Sequence, residues 1–99
     1  MITFVRTRTV APGKGAEAMA FAQQVPKLIK DKFGVQFNVS MPIGGNADRL
    51  AFVASFANLA ELESLISKVM GDADYQKLLA ANAQTFLPGA THDELWRSL

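Results

Sequence analysis

Apolar and polar residues alternate along the start of the chain, as expected for a strand with two different faces. Residues 2–10 are rich in β-branched side chains, and the pattern ends at Pro12 and Gly13. Residues 16–33 carry apolar side chains at helical spacing, which form one stripe of Ala18, Phe21, Ala22, Val25, Ile29 and Phe33. The pattern therefore predicts a strand followed by a long amphipathic helix that ends at Gly34.

Two further strands are predicted after this helix. Residues 35–41 alternate between apolar and polar side chains, and residues 49–56 form the next strand after the turn sequence PIGGNAD. Because the connection is short, we expect these two strands to pair antiparallel. The later strand is apolar on both sides, with Leu50, Phe52 and Phe56 facing one way and Ala51 and Val53 the other. Both of its faces therefore favour burial.

The second half of the chain predicts two short helices and an ambiguous tail. Asn58 and Glu61 have the spacing of a helix-capping pair, which predicts a helix to about residue 70, and Asp72 can cap another helix through roughly residue 84. Residues 91–99 fit either a closing strand or a helix. With a strand at the end, residues 1–99 form a single α+β domain, a ferredoxin-like βαββαβ sandwich with an antiparallel sheet.

A homodimer is predicted from the two apolar faces of the 49–56 strand. Two or three short helices can cover one face of a four-stranded sheet, and the second face then lacks a cover. The same face of a second copy, packed about a two-fold axis, is the economical solution.

Composition narrows the classes of partner. The chain has 99 residues, a net charge of +1 and no cysteine, so nothing calls for nucleic acid or an anionic membrane, and disulfides and thiolate chemistry are excluded. Residues 50–60 form the longest weakly polar run, about half of what a bilayer requires. Arg6 and Arg8 interrupt what would be the apolar core of a signal peptide. We expect a cytoplasmic protein without a membrane partner, and no cofactor is implied.

The arginines are the first candidates for ligand binding. All four fall on predicted strands, at positions Arg6, Arg8, Arg49 and Arg97. A guanidinium in a sheet with two buried faces must be paired, stacked or next to a cavity. Arg6, with Arg8 or Arg49, could therefore point into the space between two packed sheets and bind a carboxylate or enolate through two hydrogen bonds. The alternative is structural pairing with Asp48, Asp93 or Glu94.

His92 is the only histidine in the chain and the one acid/base candidate. In a closing strand it shares a face with Glu94 and Trp96 while Asp93 points the other way, so His92 and Glu94 could act as a general base and its orienting carboxylate. The alternative is a partly exposed histidine at a terminal strand. A single histidine predicts no metal site. We expect Trp96 to be buried in the core, in an interface or in a cavity wall, whereas Asn38 could bind a ligand or face solvent.

Two stretches carry a family resemblance. VRTRTVAPGKGAEAMAF resembles the opening of the NIPSNAP-like proteins, with an Arg-Thr-aromatic-Thr run before a Pro-Gly-Lys turn, and GDADYQKLLAANAQTFLPG is similar to the segment after their second helix. Arg6 falls on the family's arginine position, whereas Arg8 stands where an aromatic residue is usual and Phe4 where an acidic one is usual. The resemblance implies a dimeric α/β barrel, a superfamily that includes antibiotic-biosynthesis-type monooxygenases and small isomerases.

Three functions stay open at this point. The leading hypothesis is a small homodimer of unassigned activity that binds a small anionic or aromatic ligand in a cavity between helices and sheet or between sheets. The resemblance also implies a cofactor-independent monooxygenase or isomerase, in which Arg6 stabilises an enolate and His92 acts as the base. A non-catalytic structural or regulatory dimer is the third. Tyr75, at the start of a predicted helix, is interpreted as a packing residue.

Overall fold

The computed structural model describes all 99 residues and shows a four-stranded antiparallel sheet with three helices. The elements follow one another as β1 (Ile2–Thr9), α1 (Gly15–Phe33), β2 (Asn38–Ser40), β3 (Arg49–Phe56), α2 (Leu59–Met70), α3 (Ala73–Ala81) and β4 (His92–Arg97). The strands lie in the order β2-β3-β1-β4. The predicted ferredoxin-like α+β fold is confirmed, and the ambiguous tail forms the closing strand.

The strand register divides the sheet into two faces. Arg6 lies opposite Phe52 on β3 and opposite Asp93 on β4, which places these three side chains on one face. Thr7, the next residue, lies opposite Ala51 and His92 on the other. We call the side covered by the helices the inner face and the opposite side the outer face.

The hydrophobic core lies between the inner face and the helices. Its buried residues are Phe4, Ala18, Phe21, Ala22, Val25, Ile29, Phe37, Leu50, Phe52, Ala54, Phe56, Leu62, Leu65, Val69, Tyr75 and Phe86. The predicted stripe of α1 supplies five of them, and the helix continues through Pro26. Phe21 packs edge-on against Phe52 and Phe86, with ring centroids 6.0 and 5.1 Å apart.

The helix starts agree with the predicted capping residues. The Asn58 side chain accepts a hydrogen bond from the backbone N–H of Glu61 at 3.0 Å, and the Glu61 carboxylate accepts one from the N–H of Ala57 at 3.2 Å. Asp72 accepts from the N–H of Tyr75 at 2.9 Å and so opens α3. These side chains satisfy backbone donors that have no partner within the helix.

The second strand is shorter than the prediction of 35–41. Only residues 38–40 pair with β3. On one side, the side chain of Gln36 donates to the carbonyl oxygen of Phe37 at 2.9 Å. On the other side Pro42 has no backbone N–H to continue a ladder. β2 is therefore a short edge strand.

β4, the opposite edge strand, is exposed along its whole length. None of the three helices has the length and apolar character needed to cross a bilayer.

Candidate functional site

A cavity of about 70 Å³ lies between the inner face of the sheet and the helices. Fourteen residues line it, and twelve of these are hydrophobic. The two exceptions are Arg6 and Arg8, which are neighbours on the inner face of β1. On this measure one water molecule needs roughly 10–15 Å³, so the cavity has room for several waters or for the polar end of a small molecule.

Arg6 is held by a carboxylate of the neighbouring strand. Its Nε donates to Oδ1 of Asp93 at 2.7 Å, and its Nη2 donates to Oδ2 at 2.8 Å. The two residues are direct partners in the β1–β4 register, so the backbone itself brings them together. This hydrogen-bonded pair raises the pKa of Arg6 and lowers the pKa of Asp93.

Arg8 has no carboxylate partner. Its guanidinium carbon lies 4.3 Å from the ring centroid of Phe86 and 5.2 Å from that of Phe21. Its Nε is inaccessible to solvent and forms no hydrogen bond. Burial lowers the pKa of Arg8, although an arginine stays charged at any physiological pH. An unsatisfied buried donor is unfavourable, so an acceptor that reached Arg8 would be bound strongly.

Tyr75 brings a third polar group to the same cavity. It is buried at the start of α3, where the Asp72 cap holds its backbone, and it lines the cavity together with Arg6 and Arg8. Its hydroxyl can donate a hydrogen bond to an anion beside the arginines. The sequence favoured a packing role for Tyr75 over that of a proton donor. Its position three residues after the helix cap was the only signal, and nothing local showed that α3 would turn it toward β1.

The mouth of the cavity is apolar. Ile66 and Met70, on the last two turns of α2, line the cavity and yet remain 39% and 50% exposed. An arrangement with charge inside and apolar side chains at the entrance suits a ligand that carries an anionic group on an apolar or aromatic body.

The histidine and its carboxylate lie on the outer face. His92 Nε2 is 3.0 Å from Oε2 of Glu94, and Trp96 Nε1 donates to the other oxygen of the same carboxylate at 3.0 Å. The contact with His92, followed by that with Trp96, lowers the pKa of Glu94. The predicted sharing of one face by these three side chains is confirmed. His92 and Glu94 border an open concavity of about 260 Å³ that also includes Arg49.

The structure places three of the candidate residues on the outer face. Trp96 is 61% exposed rather than buried in the core, because its register opposite Thr3 places it on the face without helices. Arg49 lies with it on the outer face, and Asn38 is exposed there, so neither lines the cavity. Arg6 and His92 lie on opposite faces of the sheet, which rules out an enolate-binding arginine and a histidine base acting together in one subunit.

No three histidine, cysteine, aspartate or glutamate side chains lie together in a way that could hold a metal ion.

The architecture is that of the ferredoxin-like α+β proteins. One solved structure with this fold is a proposed antibiotic biosynthesis monooxygenase from Nitrosomonas europaea, with a TM-score of 0.74 and 10% identity over 100% of this chain and 99% of that one. More particularly, the chain has the fold of the NIPSNAP family, and the resemblance noted in the sequence is confirmed at that level.

Two solved structures of NIPSNAP proteins show the extent of the structural similarity. A family member of unknown function from Agrobacterium tumefaciens has a TM-score of 0.84 and 12% identity, covering 99% of this chain and 87% of that one. An uncharacterized NIPSNAP domain protein from Burkholderia xenovorans has a TM-score of 0.83 and 13% identity, covering 100% and 95%. No protein-family model matches the chain, and no curated protein sequence matches it. Identities this low establish the fold and carry no activity with them.

Proposed function

We propose that this protein binds a small amphipathic anion, such as a carboxylate on an aromatic or aliphatic body, in the cavity between the inner face and the helices. The observation that carries the proposal is Arg8, a charged side chain with an unpartnered, solvent-inaccessible Nε in a cavity that is otherwise almost entirely apolar. Only the Nε of Arg8 is sealed from solvent, so the Nη groups of this half-buried side chain are the donors that an acceptor entering the cavity would meet. Tyr75 supplies a second donor for the same anionic group.

Binding of sodium benzoate tests this function, with benzamide as the uncharged isostere and calorimetry as the measurement. Arg8→Met removes the charge and the hydrogen-bond donors and keeps an unbranched side chain. Hydrogen bonds to a charged group are each worth about 1.5–3 kcal/mol, so we expect the variant to bind benzoate at least about tenfold more weakly. Arg97→Met is the matched control, because Arg97 lies on exposed β4 and does not line the cavity. Equal affinity for benzamide, or unchanged affinity in Arg8→Met, would overturn the proposal.

The functional unit we propose is a cytoplasmic homodimer joined through the outer faces. Val5 and Val53 lie opposite each other at the centre of this face, partly exposed and without a covering helix. The face also carries charges of both signs, from Arg49 and Glu94, so two copies related by a two-fold axis can bring unlike charges together. A self-complementary face of this kind favours an isologous contact.

Sedimentation equilibrium tests the dimer. Val53→Lys places a charge at the centre of the outer face, and we expect it to convert a dimer at micromolar concentration to a monomer. Gln23→Lys introduces the same side chain at an exposed position of α1 and should leave the dimer intact. A monomeric parent protein at micromolar concentration would contradict the proposal.

A further inference from the structure

The two arginines of the cavity differ in how their charge is balanced. The Arg6 guanidinium is engaged by both oxygens of Asp93, at 2.7 and 2.8 Å. Arg8 has no carboxylate partner, and its guanidinium lies over the aromatic rings of Phe86 and Phe21. The residues that line the cavity include no aspartate or glutamate. Asp93 is therefore the one carboxylate that compensates this pair of cations.

We infer that Asp93 is a specificity-determining residue, which holds Arg6 in a bidentate ion pair, leaves Arg8 as the single free cation, and so selects monoanionic over dianionic ligands. This inference rests on the proposed function of the cavity. A ligand with one negative charge matches the charge that remains. A ligand with two would bring its second charge next to a guanidinium whose charge Asp93 already balances, and close to the carboxylate of Asp93, where repulsion disfavours it.

The fold fixes the position of Asp93 relative to Arg6, at an edge of the cavity that solvent reaches. Asp93 faces Arg6 across the β1–β4 ladder as a direct register partner, so its carboxylate is held by backbone pairing. The two side chains are 35% and 42% exposed, which places the pair at the solvent edge of the cavity. Water screens charge there, so we expect a graded preference rather than complete exclusion of dianions.

Phthalate and benzoate give the test, because they share a ring and differ by one carboxylate. The quantity measured is the ratio of the phthalate Kd to the benzoate Kd at pH 8, where phthalate carries two charges. Asp93→Asn frees Arg6, and we expect this ratio to fall by roughly tenfold relative to the parent protein. Asp31→Asn is the matched control, because Asp31 pairs with Lys27 on the exposed face of α1, and its ratio should not change.

A double variant separates charge selection from a general loosening of the site. Arg6→Met combined with Asp93→Asn removes both members of the pair and again leaves Arg8 as the only cation of the cavity. We expect the double variant to restore the ratio of the parent protein. If the ratio stays low in the double variant, Asp93 acts by shaping the site and the inference is wrong.

The failure of this inference can be told apart from the failure of the proposed function. An unchanged ratio in Asp93→Asn, with benzoate binding still lost in Arg8→Met, would overturn only the role of Asp93. Benzoate binding that is absent from the parent protein, or that does not depend on Arg8, would overturn both.

Discussion

Arg6 and His92 are offset by one residue in the register of β1 and β4, and their side chains point to opposite sides of the sheet. His92 is the register partner of Thr7, and Asp93 is that of Arg6. Because side chains alternate along a strand, one position along β1 is a change of face. The arginines therefore belong to the cavity under the helices, and the histidine belongs to the open face.

Replacing His92 should not affect the cavity. We expect His92→Ala to bind benzoate with an affinity within about twofold of the parent protein, since the two sites lie on opposite faces and share no partner. Calorimetry alongside Arg8→Met provides the comparison. A loss of benzoate affinity as large as that of Arg8→Met would mean that the two faces are coupled and that His92 contributes to the ligand site.

Arg8→Met should raise the stability of the unliganded protein while it weakens ligand binding. The substitution removes a buried donor without a partner, a group that typically destabilises a fold by about 1–3 kcal/mol, and Met keeps contact with the rings of Phe21 and Phe86. Loss of the stacked charge offsets part of this gain. We expect the melting temperature to rise by a few degrees, on a scale of roughly 4–8 °C per kcal/mol. A lower melting temperature would show that Arg8 is structural.

The ion pair between Arg6 and Asp93 predicts a specific dependence on pH. The pKa of Asp93 is lowered from the ordinary 3.8, first by the hydrogen bonds from Arg6. A carboxyl group with a lower pKa in the folded state stabilises the fold above its unfolded pKa, and this contribution is lost as the pH falls through the folded value. We expect Asp93→Asn to be less stable than the parent at pH 7, with the difference vanishing well below pH 3.8.

The size of this effect is limited by exposure of the pair. More than a third of each side chain is exposed, so the contribution should not exceed about 1 kcal/mol. Denaturant unfolding at several pH values measures it, and Asp31→Asn serves as the reference for a largely exposed pair. A gap that widens toward acid pH would have the wrong sign.

Trp96 reports on the proposed dimer directly, because it is the only tryptophan and lies on the outer face. In a single subunit it is largely exposed, whereas a second copy on this face would cover it. We expect the fluorescence emission of the parent protein to lie at shorter wavelength than that of Val53→Lys and to shift toward it on dilution. Identical, concentration-independent spectra would argue against contact through this face.

The Asn58 cap should make a measurable contribution to stability. Its side chain accepts the backbone N–H of Glu61 at 3.0 Å, and loss of such a cap typically costs about 1 kcal/mol. We expect Asn58→Ala to lower the free energy of unfolding by about that amount. Ser64→Ala, at an exposed position inside α2, should have little effect. Equal stability of the two variants would mean that the start of α2 is held by packing alone.

Local signals account for much of what could be predicted here. The five buried side chains of α1 follow from helical spacing, and the starts of α2 and α3 follow from Asn58 and Asp72, because a cap acts within one helical turn. The fold class then follows from the order of the elements. The end of β2 was less predictable, since it depended on which of its residues found partners on β3.

Less of the candidate site could be predicted from the sequence. The sequence singled out Arg6 and Arg8 and noted Asp93 as a possible partner. It could not show that Asp93 forms an ion pair with Arg6 and not with Arg8. That outcome depends on the register between strands that are more than 80 residues apart in the chain. Tyr75 joined the site for a similar reason, through the packing of α3 against the sheet.

The sequence by itself therefore determined the first six elements, their order and the apolar stripe of α1, since these features depend on periodicity and contacts within a few residues. It also determined that His92, Glu94 and Trp96 share one face if the tail is a strand. Only the tertiary structure decided which face the helices cover, and with it that Arg8 lies in a cavity and Trp96 on an open surface. The physical reason is that a strand pattern distinguishes two faces without saying which of them is buried.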